Sequence, residues 1–128
     1  MAKVSLLVDT DIWIDYLNAG HFDRFFESHQ FIVYYSVVTR KELLAKRGLK
    51  DSERQAILFE LKQHRQIELD PSIAQLFSKL RGKYHQLEKE DALIAATAIA
   101  KRLPLLTRNW RHYRQVRELR LYNGNSGN

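Results

Sequence analysis

The chain has 128 residues, 45% of them hydrophobic and 28% charged, which suits one domain with a core of its own. It has no cysteine, which excludes disulfides, zinc–thiolate sites and thiol catalysis and fits a reducing cytoplasm. The net charge is +6, and seven basic residues between Lys101 and Arg120 stand against one acid, Glu118, an asymmetry that suits either a polyanionic partner or a solvated surface.

Val4–Val8 is a short apolar run of the kind found in strands buried on both faces. Asp9, Asp11 and Asp15 follow it, so it cannot be the core of a signal peptide. Thr10 or Asp11 is positioned to cap a helix through Leu17, with Ile12, Trp13, Tyr16 and Leu17 on its apolar face. Phe22–Phe26 predicts a short helix and Phe31–Tyr35 the next strand. Ser36 then caps a helix to about Lys46, which Gly48 ends.

Asp51 or Ser52 caps a helix through about Gln63, and Ile67–Leu69 is a short strand. Asp70-Pro71-Ser72 opens a helix whose stripe is Ile73, Leu76, Phe77, Leu80 and Tyr84. From about Glu90 to Arg102 the pattern is apolar nearly all round, with small residues that permit close approach to a neighbour. This predicts the central packed helix, within which Thr97 bonds a backbone carbonyl. That apolar stretch is far below the roughly 20 residues a bilayer demands, so no membrane is expected and the chain reads as soluble and cytoplasmic. Pro104 breaks the helix, Leu105–Thr107 and Leu119–Tyr122 are short strands, and the tail 123–128 has nothing to pack. Strands alternating with helices predict an α/β fold, a single domain over 1–122 with a mostly parallel sheet of four to five strands.

Three acids stand out on this frame: Asp9 closing the first strand, Glu42 about two turns into the helix after the second, and Asp91 opening the apolar helix. Each lies in or beside sequence that reads as buried, where a carboxylate is costly unless it is paired or binds a metal. A shared divalent cation is one reason that serves all three. Taken singly, each has a plainer reading: Asp9 as a turn residue, Asp91 as a helix cap, and Glu42 paired with Arg40 or Lys46 at the surface. Ligands of open α/β sheets bind beyond the carboxyl ends of the strands, where Asp9 and Asn109 both fall. Thr10, Thr39 and Thr107 border the same region. Trp110 and Tyr113 interleave with Arg108, Arg111 and Arg114, a mixture suited to stacking on single-stranded bases, although such aromatics also close cores. Of the five histidines only His112, three residues after Asn109, is placed to touch a phosphate.

Leu7-Val8-Asp9-Thr10-Asp11-Ile12-Trp13-Ile14, Ser36-Val37-Val38-Thr39-Arg40-Lys41-Glu42-Leu43, Asp91-Ala92-Leu93-Ile94-Ala95-Ala96-Thr97-Ala98 and Leu106-Thr107-Arg108-Asn109 together resemble the PIN domain. Within it, the length and the closing Thr-Arg-Asn resemble the VapC-type toxins of toxin–antitoxin pairs, and the resemblance runs from about residue 4 to residue 122. It implies a three-layer α/β/α fold and an endoribonuclease that uses Mg²⁺ or Mn²⁺, with Asp9, Glu42 and Asp91 as metal-binding and catalytic acids. It also implies an RNA substrate, a cognate antitoxin and a homodimer, with the stripe on the helix after Pro71 serving such a contact or facing the core. Two positions depart from the pattern. Asn109 stands where many PIN domains carry a fourth acid, and Asp11 stands where relatives often have Asn, either restoring charge or capping the first helix. A PIN nuclease of RNA processing without an antitoxin, and a module that binds without cutting, are the alternatives.

Overall fold

Residues 2–123 are described by the computed structural model, and its first strand, β1 (Val4–Val8), is the hub of the sheet. β1 runs parallel to β2 (Phe31–Ser36) on one side, pairing Leu6 with Val33, and to β4 (Leu105–Leu106) on the other, pairing Val8 with Leu106. β3 (Arg65–Ile67) adds beyond β2, giving the order β3-β2-β1-β4. Every pairing is parallel, as expected where helices connect successive strands. The order reverses between β1 and β4, and the carboxyl ends of those two strands flank the switch point.

Side chains along β1 alternate between the two faces of the sheet. Leu6 and Val8 join Ile12, Trp13, Phe25, Phe26, Tyr35 and Leu43 on the side covered by α1 (Thr10–Ala19), α2 (Asp23–Glu27), α3 (Val37–Leu44) and α4 (Asp51–Lys62). Leu7 and Leu105 face α5 (Pro71–Lys83) and α6 (Lys89–Lys101), whose Ala92, Ala95, Ala96 and Ala98 are buried. The layers are therefore α/β/α. Small residues along α6 let it lie close against the sheet and α5, as its composition predicted. Thr97, fully buried there, donates to the Leu93 carbonyl at 2.7 Å.

Several expectations shift in detail. Asp9 precedes the first helix residue and accepts the Thr10 N–H, so neither Thr10 nor Asp11 is the cap of α1. α3 ends at Leu44, before Gly48, whose φ of +73° turns the following loop. Lys50, not Asp51 or Ser52, occupies the cap position of α4, and Glu53 receives its backbone N–H at 3.0 Å. β3 lies two residues earlier than Ile67–Leu69, because Tyr34–Ser36 pair with Arg65–Ile67. In place of a strand at Leu119–Tyr122 there is one parallel bridge, Leu105 to Leu121, held by Leu105 N–H to the Arg120 carbonyl and Tyr122 N–H to the Leu105 carbonyl. A one-turn helix, α7 (Trp110–Tyr113), was not anticipated.

The α5 stripe faces inward: Ile73 and Leu80 are buried, and the partly buried Leu76, Phe77 and Tyr84 pack against the same core. Among the described residues no helix is long and apolar enough to cross a membrane. The expectation of an unpacked tail falls, for residues 124–128, outside the described residues.

Candidate active site

β1 is short because Asp9 stops it, and the end of a central parallel strand leaves little solvent around the side chain that follows. Asp9 is 5% exposed. Its Oδ1 accepts the Thr10 N–H at 2.8 Å and its Oδ2 accepts the Thr107 hydroxyl at 2.8 Å, a contact that spans the β1–β4 switch point. The Thr107 hydroxyl in turn receives the Asn109 N–H at 3.0 Å, which turns the chain after β4 into α7.

Asp91 is the third residue of α6 rather than its cap. Tyr113, wholly buried on α7, donates its hydroxyl to Asp91 Oδ1 at 3.1 Å, and His112 Nδ1 lies 3.7 Å from Oδ2. α6 and α7 therefore meet at Asp91, next to Asp9.

Glu42 is held differently. It is exposed on α3, not buried as its surroundings in the sequence predicted, since the helix turns it outward between Thr39 and the cleft mouth. Thr10 donates to Glu42 Oε1 at 2.8 Å, and the fully buried Thr39 hydroxyl lies 2.9 Å from that of Thr10. Thr10 has one hydroxyl proton and gives it to the carboxylate, so Thr39 must donate to Thr10. Asp9, Thr10 and Glu42 are thus linked through adjacent atoms of Thr10, with Thr39 beneath.

Electrostatics mark the buried pair. Burial, and next the charge of Asp11, push the Asp9 carboxyl up to about 6; the bonds from Thr107 and Thr10 oppose this, and Asp91 adds a smaller upward push. Asp91 is raised first by burial, against the opposing effects of Tyr113 and His112. Asp11 is raised by burial too, with the Arg108 N–H opposing. Burial, then the charges of Asp9 and Asp91, hold the Tyr113 phenol far above its ordinary range, so it remains a donor at any physiological pH. The raised groups Asp9, Asp11, Asp91 and Tyr113 thus gather at the strand-end crevice.

Asp11 lies in the first turn of α1. Its Oδ2 accepts the Arg108 N–H at 3.1 Å, while its Oδ1 is buried without a hydrogen-bond partner. One turn on, Asp15 pairs with the Arg108 guanidinium. Arg108, Arg111 and Arg114 are all exposed, and of the three Arg108 is engaged by α1. Asn109 is exposed. Sequence reasoning missed the Tyr113 hydroxyl as a site group; a tyrosine four residues after Asn109, on the far side of a single helical turn, was the available signal. It also gave Asp15 no role.

The donor set fits a hard divalent cation. Every candidate ligand is an oxygen, Asp9 carries an unfavourable charge that a cation would relieve, and Asp11 keeps an unpartnered buried oxygen beside it. Among the described residues, no three carboxylate or imidazole groups come together closely enough to hold a metal ion between them, so Asp9, Glu42 and Asp91 do not form a three-ligand site as they stand. Mg²⁺ does not require one, because it is usually held by one or two carboxylates together with substrate phosphate and water.

Known proteins agree with this architecture. The model of the PIN domain family matches residues 6–119. Ribonuclease VapC1 of Methanocaldococcus jannaschii is 31% identical over 124 residues, covering 91% of this chain and 84% of its own length. A toxin–antitoxin complex from Klebsiella pneumoniae contains a chain alike at a TM-score of 0.74 and 28% identity, with 89% of this chain and 94% of that one covered. DNA-bound VapBC from Salmonella typhimurium reaches a TM-score of 0.80 at 20% identity, covering 95% and 98%, a likeness of fold.

Proposed function

The chain belongs to the PIN domain family, and from that premise we propose that it is a divalent-metal-dependent endoribonuclease serving as the toxin of a toxin–antitoxin pair. The observation that carries this reading is the junction of Asp9 and Asp91, a buried carboxyl at the end of β1 and a half-buried one in the first turn of α6, each raised by burial. Two such carboxylates without a salt-bridge lysine or arginine are relieved by a cation. Asp9 and Asp91 would hold it, Mg²⁺ or Mn²⁺, with Glu42 at the open side as third ligand or as the group that orients water. When bound, such an ion supplies Lewis-acid stabilisation of charge on the phosphate and a more acidic water.

The chain's own residues do the rest. Thr107 and Thr10 fix both oxygens of Asp9, and Tyr113 fixes one oxygen of Asp91, so neither carboxylate has to be reoriented when substrate arrives. Thr10 and Thr39 direct Glu42 through Oε1, which leaves Oε2 to take a proton from an attacking water. Asn109 contributes no charge, and the acids present suit one ion better than two.

The same reading assigns an antitoxin to the cleft of about 330 Å³ between α1, α3 and α4. Ile14, Leu17, Leu43, Leu49 and Ile57 line it, and Glu42 stands in its wall. An apolar helix or extended segment lying there would bring a basic side chain to the acids. A homodimer and a cytoplasmic setting complete the reading.

The test is cleavage of single-stranded RNA by the purified chain in Mg²⁺ or Mn²⁺, its loss in EDTA and its return when metal is restored. Cutting that persists in EDTA would remove the cation from the reading. No cutting with either metal, by antitoxin-free protein, would remove the nuclease.

A further inference from the structure

The basic segment after β4 divides into two parts that its sequence does not distinguish. Arg108, though itself exposed, is tied to α1 by its N–H on Asp11 and its guanidinium on Asp15, and Tyr113 is wholly buried with its hydroxyl on Asp91. Trp110, Arg111 and Arg114 turn outward. Trp110 is 51% exposed, whereas the other tryptophan, Trp13, is 0% exposed in the core. The Arg114 guanidinium lies 5.5 Å from the centre of the Trp110 ring. Neither Arg111 nor Arg114 forms an ion pair among the described residues. His112, between them in the chain, has Nδ1 3.7 Å from Asp91 Oδ2, so the one-turn helix that carries the exposed indole also touches Asp91.

An indole left half in water, beside two guanidinium groups without anionic partners, is chemically a platform for a flat ring flanked by negative charges. Single-stranded nucleic acid has that repeat: a base to stack and a phosphate on either side. A protein partner would need apolar surface around Trp110, but its neighbours Asn109, Arg111 and Arg114 are all exposed and polar. We infer that Trp110 is the stacking platform for an unpaired base next to the scissile phosphate, with Arg111 and Arg114 holding the neighbouring phosphates. This rests on the reading of the chain as an RNA-cutting enzyme and adds where the strand lies.

Having one buried and one exposed tryptophan makes the inference measurable without turnover. The intact chain, in EDTA, is titrated with a single-stranded oligoribonucleotide, and with inorganic polyphosphate as a purely electrostatic control, while tryptophan emission is followed. Stacking predicts quenching by the oligonucleotide but not by polyphosphate, absent in Trp110→Phe. Binding followed by anisotropy of a labelled oligonucleotide should weaken about tenfold in Trp110→Ala and less in Trp110→Phe. Oligonucleotide binding with unmoved emission, or equal affinity in Trp110→Ala, overturns the inference and leaves the nuclease reading intact. Failure of the wild-type chain to bind any oligoribonucleotide, in EDTA or in Ca²⁺, counts against the nuclease reading itself. Emission that changes with protein concentration alone makes Trp110 a contact between copies and likewise overturns the stacking role.

Discussion

The two sides of the cleft hold their carboxylates by opposite means. On the β1–β4 side, Asp9 is 5% exposed, bonded at both oxygens and raised by burial and by the charge of Asp11. On the α3 side, Glu42 is exposed and hangs from one threonine hydroxyl backed by another. Asp9 is a charge the fold keeps at a cost, whereas Glu42 sits where water already solvates it. Loss of stability and loss of activity should therefore separate: on one side the acid works against the fold, on the other it is neutral to it.

The largest effect should come from Asp9→Asn. RNA cleavage in Mg²⁺ is expected to fall more than a hundredfold, while the metal-free protein at pH 7.5 becomes more stable, by up to on the order of 2 kcal/mol. The direction follows from proton linkage. An Asp whose folded pKa is about 6 keeps its proton between pH 3.8 and 6 when the unfolded chain has already released it. Its contribution to stability is therefore fully present below about pH 4 and lost as pH rises through 6. Thermal melts in EDTA should show wild-type stability falling across that window relative to Asp9→Asn. A relative rise there would mean that Asp9 is stabilised as a carboxylate by partners other than the two threonines.

A smaller effect is expected across the cleft. Glu42→Gln should lower the cleavage rate about ten- to a hundredfold and leave the melting temperature within the range of an ordinary surface change, about 0.5 kcal/mol. Thr39→Val, which removes the donor behind Thr10, should reproduce part of that loss. If Glu42→Gln were as stabilising as Asp9→Asn, the two sides would not differ as described.

The smallest effects concern the arginines and sharpen the contrast within one segment. Arg111→Gln and Arg114→Gln should each reduce the slope of log affinity for RNA against log salt by about 1. Arg108→Gln should leave that slope alone and cost less than about 1 kcal/mol of stability, as an ion pair this exposed allows. A flattened slope for Arg108→Gln alone would show that RNA takes Arg108 from Asp15.

Much of the scaffold was legible because periodicity and order carry it. The apolar run before Asp9, the all-apolar α6 and the stripe of α5 each announce both element and burial. What was hidden depends on distance along the chain. The β3 register is set by Tyr34–Ser36, and a three-residue edge strand has too short a pattern to reveal it. Asp11 reads locally as a cap, and only the fold brings the Arg108 N–H to it from 97 residues away. Glu42 lies in sequence that reads as buried, among Val37, Val38 and Leu43, yet the helix leaves it exposed. Tyr113 and Trp110 are alike on paper, and the single turn of α7 sends one to Asp91 and the other to solvent. Asp9 and Asp91 were the readable part of the candidate site, since each is an acid set directly against apolar sequence.

The Thr107–Asp9 bond joins positions 98 residues apart. β1 sits between β2 and β4, so the strand that opens the chain acquires its second neighbour only when residues 105–106 exist. During synthesis, then, Asp9 waits for 98 further residues before the Thr107 hydroxyl can close on it. A nascent chain carries no assembled cleft. For an enzyme proposed to attack RNA, that ordering withholds the cleft until Thr107 and Tyr113 have been made.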